Sequence, residues 1–355
     1  MNAHAQRYSA LAELRLEIES GMRLDADTAT FGQFAQMWHD GRVAAGEIGR
    51  GSLNEEQLYI NRFNEHIGEI PIKELEPTTI EATIAAIKKK YELGNTTTNA
   101  VFKKCKQILK EAVHRGYCLT NPADKLKAPR RDEPERRAFE ISDFGRLMSS
   151  LDNAGGTDGR VMGIRIAAAT GMRVGEVLGL EWRHIDLKGN ALTIEQSITP
   201  FMEIKTPKTR KGIRRIALDL DTVAYLKKWK ENQERIFEEW ELEHLPTTPI
   251  ITDSIGNRHD YCNHYTWRSK YFKKHNLDDY TTQELRHTQA IYLLGSGADI
   301  KTVQNRLGHK SATMTLDQYG HAMPERDQEA AMTIGSIMSA AQEKTLSESQ
   351  SEQAA

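Results

Sequence analysis

Apolar positions in the first third of the chain recur at helical spacing: Leu58, Ile60 and Phe63, then Ile80, Ile84 and Ile87, then Val101, Cys105, Ile108, Leu109 and Val113. Gly68, Pro71, Pro77 and Gly94-Asn95 interrupt the runs, so the pattern predicts a bundle of four or five helices. Thr30, just before Phe31-Gly32-Gln33-Phe34, is the expected N-cap of the first. The last long helix is expected from about Thr97 to Arg115. It carries Lys103, Lys106, Lys110 and His114 at three- and four-residue steps, on a stripe opposite the apolar one. Upstream, the sequence predicts a polar helix from Ala5 to Ser20, then Gly21 and a charged link.

Asn121-Pro122-Ala123 closes the bundle, and residues 125–138 have the prolines, charges and low apolar content of a linker. Beyond it the pattern changes. Ile141-Ser142-Asp143-Phe144 opens a helix, Val161 to Ala169 reads as a buried one, and Glu176 to Trp182 as another, entered at Gly171-Met172-Arg173. Alternation in Ala191-Leu192-Thr193-Ile194-Glu195 predicts a strand. A hairpin is expected to pair Ile204-Lys205-Thr206 with Arg214-Arg215-Ile216-Ala217-Leu218, turning around Arg210-Lys211-Gly212. Later segments return to helical spacing, ending in a helix from about Glu325 to Ala341 with Ile334, Ile337 and Met338. The fold class is therefore mainly α with a small antiparallel β-sheet. The expected division is 1–29 N-terminal helix and link, 30–124 helical domain, 125–138 linker, 139–340 mixed domain and 341–355 disordered polar tail.

Composition sharpens this only locally. The 355 residues are 39% hydrophobic, ample for real cores, and the formal net charge is −2, which excludes a uniformly basic coat for a polyanion. From Lys88 to Arg131, however, twelve Lys and Arg face three acids, while acids dominate from Glu231 to Glu243. One basic face in a neutral chain fits contact with a polyanion, or a solvated lysine-rich helix surface. Cys105, Cys118 and Cys262 share no ligand-like spacing, which points to a reducing compartment rather than to a disulfide framework or zinc site. With no signal peptide and no apolar run near eighteen residues, the expected setting is soluble and intracellular, without a membrane.

Three short segments carry the chemistry. Arg173 lies in Ala169-Thr170-Gly171-Met172-Arg173-Val174-Gly175-Glu176, Arg286 in Glu284-Leu285-Arg286-His287-Thr288, and His309 in Leu307-Gly308-His309, ten residues before Tyr319. In this order and context they resemble the tyrosine recombinases, the phage-integrase family, over about residues 30–330. The resemblance implies a helical core-binding domain and a mixed α/β catalytic domain that clamp a duplex. It implies a site-specific recombinase of a phage or mobile element that cuts and rejoins DNA through a 3′-phosphotyrosine. Double-stranded DNA attachment sites, a homotetramer on DNA, and accessory DNA-bending or directionality proteins are the expected partners. The short N-terminal segment resembles the helix that would follow an arm-binding domain.

By the same resemblance Tyr319 is the nucleophile, and Arg173 and Arg286 hold the scissile phosphate. His309 donates to that phosphate, and Glu176 braces an arginine. Lys208 resembles the hairpin lysine that protonates the leaving 5′-oxygen, and is favoured over Lys205, Arg210 and Lys211. Lys103, Lys106, Lys110, Arg130 and Arg131 are the candidate DNA contacts. The physical logic is consistent. Guanidiniums fork onto phosphate oxygens and stay charged at any working pH. Preorganised donors of this kind stabilise the developing charge, so neither a metal nor another cofactor is expected. A phenol of pKa ~10 still needs a base or a cationic pocket to lose its proton.

One position departs from the family's His-x-x-Arg pattern: Gln283 stands three residues before Arg286. An amide can hydrogen-bond a phosphate but cannot shuttle a proton. The departure leaves natural variation, attenuation and catalytic loss open, and a Gln283→His change is expected to raise the cleavage rate. The neighbouring His287 is expected to be a buried packing residue, with a substitute base as the other reading of that position. Two alternatives follow: a weakened or inactive site-specific DNA-binding protein of this fold, and a type IB topoisomerase. The two-domain size and the Leu-Gly-His context speak against the topoisomerase.

Overall fold

A side-chain cap fixes where the first helix begins. Thr30 Oγ1 accepts from the Gln33 N–H while Gln33 Oε1 accepts from the Thr30 N–H, a reciprocal box that starts the first helix. The structure, a computed structural model, describes residues 28–46, 48–132, 137–206, 213–253, 255–309, 311–319 and 331–339. Two compact units divide the chain, Met1–Pro134 and Glu135–Ala355.

In the first unit, helices α1 (Phe31–Ala45), α2 (Arg50–Ile67), α3 (Pro77–Lys90) and α4 (Asn95–His114) form the expected bundle, with a 3-10 turn at Ile72–Glu74. Their inward stripes meet in one core of Phe31, Phe34, Trp38, Phe63, Ile80, Ile87, Val101 and Ile108, among others. A buried polar staple crosses this core. Glu56 of α2 meets His39 and Arg42 of α1 and Lys104 of α4 at 2.9 to 3.3 Å. The chain after the bundle returns along α4. The Asn99 amide donates to the carbonyl of Pro129 at 2.6 Å, Arg131 Nε donates to Asn99 Oδ1, and Asp132 accepts from the Asn95 amide and N–H.

In the second unit, α5 (Ile141–Asn153), α6 (Gly159–Thr170) and α7 (Val174–Leu178) precede a small β region, and α8 (Leu220–Glu239) and α9 (Tyr261–Lys274) follow it. Next come α10 (Thr282–Gly295), α11 (Ile300–Leu307) and α12 (Ala312–Tyr319), and residues 331–339 are also helical. Helix α6 is buried along nearly its whole length, as its mostly apolar sequence requires, with Arg165 in its middle paired to Asp152. The main core gathers Leu147, Ile164, Leu178, Leu192, Ile216, Leu226, Trp229, Ile251, Phe272 and Leu285. A satellite cluster under α10 to α12 contains Ala290, Leu294, Val303, Leu307 and Tyr319. The fold is mainly α with small antiparallel sheets.

Two expectations are corrected. The helix expected from Glu176 to Trp182 stops at Leu178, and Trp182–His184 forms a separate 3-10 turn. At Gly179 the chain runs so close to the backbone of Gln196 and Ser197 that a Cβ would sit 3.1 Å from each. Glu181 then leaves the helix to bridge Pro249. The expected hairpin is not the pairing formed. Strand β5 (Arg214–Ala217) pairs with β2 (Ala191–Ile194), which also pairs with β1 (Ile185–Asp186). Strand β4 (Ile204–Lys205) instead pairs with β3 (Ser197–Ile198). Burial explains the choice. The β2–β5 register sets Leu192 opposite Ile216, both in the core, whereas both residues of β4 are exposed and bring no apolar face to Ile216. The helix expected at Ala5 to Ser20, the turn at Arg210-Lys211-Gly212 and the polar tail at 341–355 lie outside the described residues.

Candidate active site

Two helix ends create the pocket. Helices α6 and α11 both finish on a left-handed glycine, Gly171 at φ 68° and Gly308 at φ 66°, a conformation that a side chain would strain. Space forbids a side chain as well. A Cβ on Gly171 would lie 2.6 Å from Leu307 Cδ2, and one on Gly308 would lie 2.8 Å from the Arg214 guanidinium. The two turns therefore pack tightly, and Arg286 of α10 ties them together. Its Nη1 donates to the Gly171 carbonyl at 2.8 Å and its Nη2 to the Leu307 carbonyl at 2.6 Å. Arg286 is only 2% exposed. Burial, then the nearby charge of Arg173, lowers its pKa to about 10, so the guanidinium stays charged at neutral pH.

Past the Gly171 turn, Arg173 is the N-cap of α7, and its side chain remains 48% exposed. Its backbone N–H donates to Glu176 Oε2 at 2.9 Å and its Nη1 to Glu176 Oε1 at 3.1 Å. Glu176 is itself buried and is forked by a second arginine. Arg214 reaches it with Nη2 at 2.8 Å and Nη1 at 3.2 Å. Burial alone would raise the Glu176 pKa. The Arg214 hydrogen bonds and charge, with those of Arg173, outweigh it and hold the carboxyl below its ordinary range. Glu176 thus joins two arginines and is not the ordinary surface pair that an i,i+3 spacing also allows.

His309 follows the Gly308 turn and is buried. Its Nδ1 shares a hydrogen bond with Thr315 Oγ1 at 2.8 Å, and its backbone carbonyl accepts from the Gln304 amide at 3.1 Å. Burial first, then the charges of Arg286, Arg173 and Arg214, lower its pKa to about 4, so it is neutral at pH 7. Tyr319 closes the pocket at 1% exposure, its ring stacked on His309 with centroids 6.3 Å apart. The Tyr319 hydroxyl and His287 Nδ1 form a hydrogen bond.

Of the residues read from sequence, Arg173, Glu176, Arg286, His309 and Tyr319 therefore converge from four stretches of chain. Gln283 does not join them as a buried group: it is exposed in the first turn of α10, and its N–H donates to Thr281 Oγ1. Lys208 lies outside the described residues. In the first unit Lys103 and Lys110 are exposed on α4, whereas Lys106 pairs with Asp124 at 3.2 Å. Arg130 and Arg131 are exposed on the segment after the bundle.

Sequence reasoning missed Arg214 and the Tyr319 contact of His287. A signal for Arg214 existed, because alternation sets residues 214, 216 and 218 on one strand face. Ile216 and Leu218 are buried there, so Arg214 had to enter the same interior. His287 had no comparable signal, since helical spacing shows that it faces inward and not what it meets.

A mainly helical unit that converges two arginines, a histidine and a tyrosine on one pocket is the build of a tyrosine recombinase. The chain belongs to the phage integrase family, whose model matches residues 139–326. It is 26% identical over 338 residues to the ICEBs1 integrase of Bacillus subtilis (strain 168), covering 92% of this chain and 88% of that protein. Among solved structures it resembles the Tn1549 transposon integrase in complex with a circular intermediate DNA, at a TM-score of 0.69 and 17% identity, covering 86% of this chain and 98% of that one. It also resembles a lambda integrase tetramer bound to a Holliday junction, at a TM-score of 0.62 and 17% identity, covering 85% and 80%. These structural likenesses concern the fold. Site-specific breakage and rejoining of DNA is the activity of the family. Among the described residues, no helix is long and apolar enough to cross a membrane.

Proposed function

We propose that this chain is the integrase of a phage or other mobile element and that Tyr319 is its nucleophile. The Tyr319 oxygen attacks the scissile phosphorus, the bond to the 5′-oxygen breaks, and a 3′-phosphotyrosine forms beside a free 5′-hydroxyl. Arg173 and Arg286 bind the non-bridging oxygens, where guanidinium donors meet the growing charge. Glu176 and Arg214 hold Arg173 in place. His309, neutral at pH 7, donates to the phosphate, and Lys208 protonates the leaving oxygen. The phosphotyrosine conserves the energy of the broken bond, so rejoining needs no ATP.

The observation that carries this reading is the convergence of Arg173, Arg286, His309 and Tyr319 on one pocket built around two glycine turns. The same convergence argues against a disabled centre, because these parts are assembled despite Gln283. The partner we infer is a pair of DNA attachment sites held by a homotetramer. The lambda integrase tetramer on a Holliday junction supports that stoichiometry. We also assign the helical first unit to core binding, residues 125–138 to the link and the second unit to catalysis. In that division Lys103, Lys110, Arg130 and Arg131 meet DNA phosphates.

The test is covalent trapping. A nicked suicide duplex, copied from the end junctions of the element that carries the gene, should yield a protein–DNA adduct with the wild-type chain and none with Tyr319→Phe. An adduct that survives in the Phe variant overturns the assignment of Tyr319. Absence of any adduct from the wild type overturns the enzyme reading.

A further inference from the structure

We propose that His287 is the base that takes the proton of Tyr319, a role that Gln283 cannot fill; the proposal rests on the recombinase reading above. The geometry is direct. His287 is 8% exposed on the inner face of α10, its Nδ1 meets the Tyr319 hydroxyl, and the two rings lie 5.5 Å apart, centroid to centroid, at 54°. Adjacent positions on a helix point about 100° apart. Arg286 therefore turns to the Gly171 and Leu307 carbonyls while His287 turns to α12.

The other candidates near the tyrosine are occupied or unsuited. His309 faces the ring of Tyr319 and not its hydroxyl, and its Nδ1 is engaged with Thr315. Gln283 is exposed, and its amide has no proton-accepting nitrogen. Among the described residues, the charged and titratable groups of this cluster include Arg286 on the same helix, His309 beyond α11, and Arg173, Arg214 and Glu176. The positive charges favour the phenolate that forms.

The step balances without another reagent. The phenol O–H bond breaks and its proton passes to His287 Nδ1. The phenolate oxygen bonds to phosphorus, the bond from phosphorus to the 5′-oxygen breaks, and that oxygen takes a proton from Lys208. Rejoining runs the same steps backwards, and His287 returns the proton.

The experiment is single-turnover cleavage of the suicide duplex by the wild type, His287→Asn and Lys208→Ala. Each is assayed on a normal duplex and on one with sulfur at the 5′-bridging position, whose thiolate leaves without a proton. Asparagine keeps a polar group near Nδ1 and most of the packing, and DNA affinity and melting report whether the fold is retained. His287→Asn should cleave ~10²–10⁴-fold more slowly, as loss of general base help predicts. The bridging sulfur should leave that defect in place and remove the defect of Lys208→Ala. The wild-type rate should fall as pH drops and the base becomes protonated, and this acid limb should flatten in His287→Asn. A folded His287→Asn that cleaves at about the wild-type rate, keeps the acid limb or is rescued by the bridging sulfur would overturn the assignment. A wild type that forms no adduct would overturn the recombinase reading and this step with it.

Discussion

Arg214 forks the carboxylate of Glu176 at 2.8 and 3.2 Å while its Nε donates to the Arg306 carbonyl at 3.1 Å, so a strand end, a helix start and a helix end are joined through one side chain. Both partners are almost fully withdrawn from water. Removing Arg214 would leave a buried carboxylate whose remaining ion-pair partner among the described residues is the half-exposed Arg173. Arg214→Ala should therefore cost ~3–5 kcal/mol of stability, the range for an orphaned buried charge. Arg214→Lys should recover only part of it, because an ammonium cannot fork. Urea unfolding at pH 7 measures both. A loss below ~1 kcal/mol for the alanine variant would put the pair among weak surface bridges.

The same carboxylate sets a pH dependence. The folded pKa of Glu176 lies below its unfolded value, so its contribution is present above the unfolded pKa of ~4.3 and is lost as pH falls through the folded one. His309 acts at higher pH. Its folded pKa of about 4 is also depressed, so its contribution is complete above the unfolded pKa of ~6.5 and declines as pH falls from there towards 4. His309→Asn should make the fall in melting temperature between those two pH values shallower, not abolish it, because burial also lowers the pKa of His264 to about 4, and should leave the decline below pH ~4. Unchanged slopes for the variant would refute the account.

Much of the fold was legible because helical periodicity is a local signal. Thr30, the apolar positions of α4 and the buried run of α6 each specify their own element. The errors fell where a neighbour decides. Nothing within Ile204 to Leu218 says that Ile216 will find Leu192, a partner far back in the chain, in preference to Ile204. Nothing within Glu176 to Trp182 reports that the chain must leave its helix at Gly179 to pass Gln196. The pocket shows the same division. Arg173, Arg286, His309 and Tyr319 stand in motifs that name them, and Glu176 is one turn from an arginine. The Tyr319 partner of His287 comes from another helix and became visible only in the folded chain.

Salt dependence of DNA binding tests the first unit by itself. Lys103 and Lys110 are exposed on α4, while Lys106 already spends its charge on Asp124 at 3.2 Å. Lys103→Ala and Lys110→Ala should each lower the slope of log K against log salt by roughly 0.9, on any DNA sequence. Lys106→Ala should change it less, since binding a phosphate would first have to displace Asp124. Fluorescence anisotropy over a salt series reads all three slopes. Equal, unchanged slopes would return this stripe to ordinary solvated surface.

Gln283→His completes the His-x-x-Arg pattern that the chain lacks, and its effect depends on what His287 already does. Residue 283 lies three positions before Arg286 and four before His287, so a histidine there would stand on the same side of α10, at the mouth of the pocket. In a chain with His287 intact, the proton of Tyr319 already has an acceptor. Gln283→His should then raise single-turnover cleavage by less than the ~10²-fold lower bound of general base help, mainly by adding a phosphate donor. In the His287→Asn background the pocket has lost that acceptor, and the imidazole at 283 has a vacant role. There Gln283→His should recover a large part of the lost rate and restore an acid limb to the pH profile. The gain from one substitution thus depends on the other, and the non-additivity is the measured quantity. Four proteins on one suicide duplex give the cycle. If Gln283→His accelerates both backgrounds by the same factor, the two positions act independently and His287 is not the acceptor that position 283 replaces.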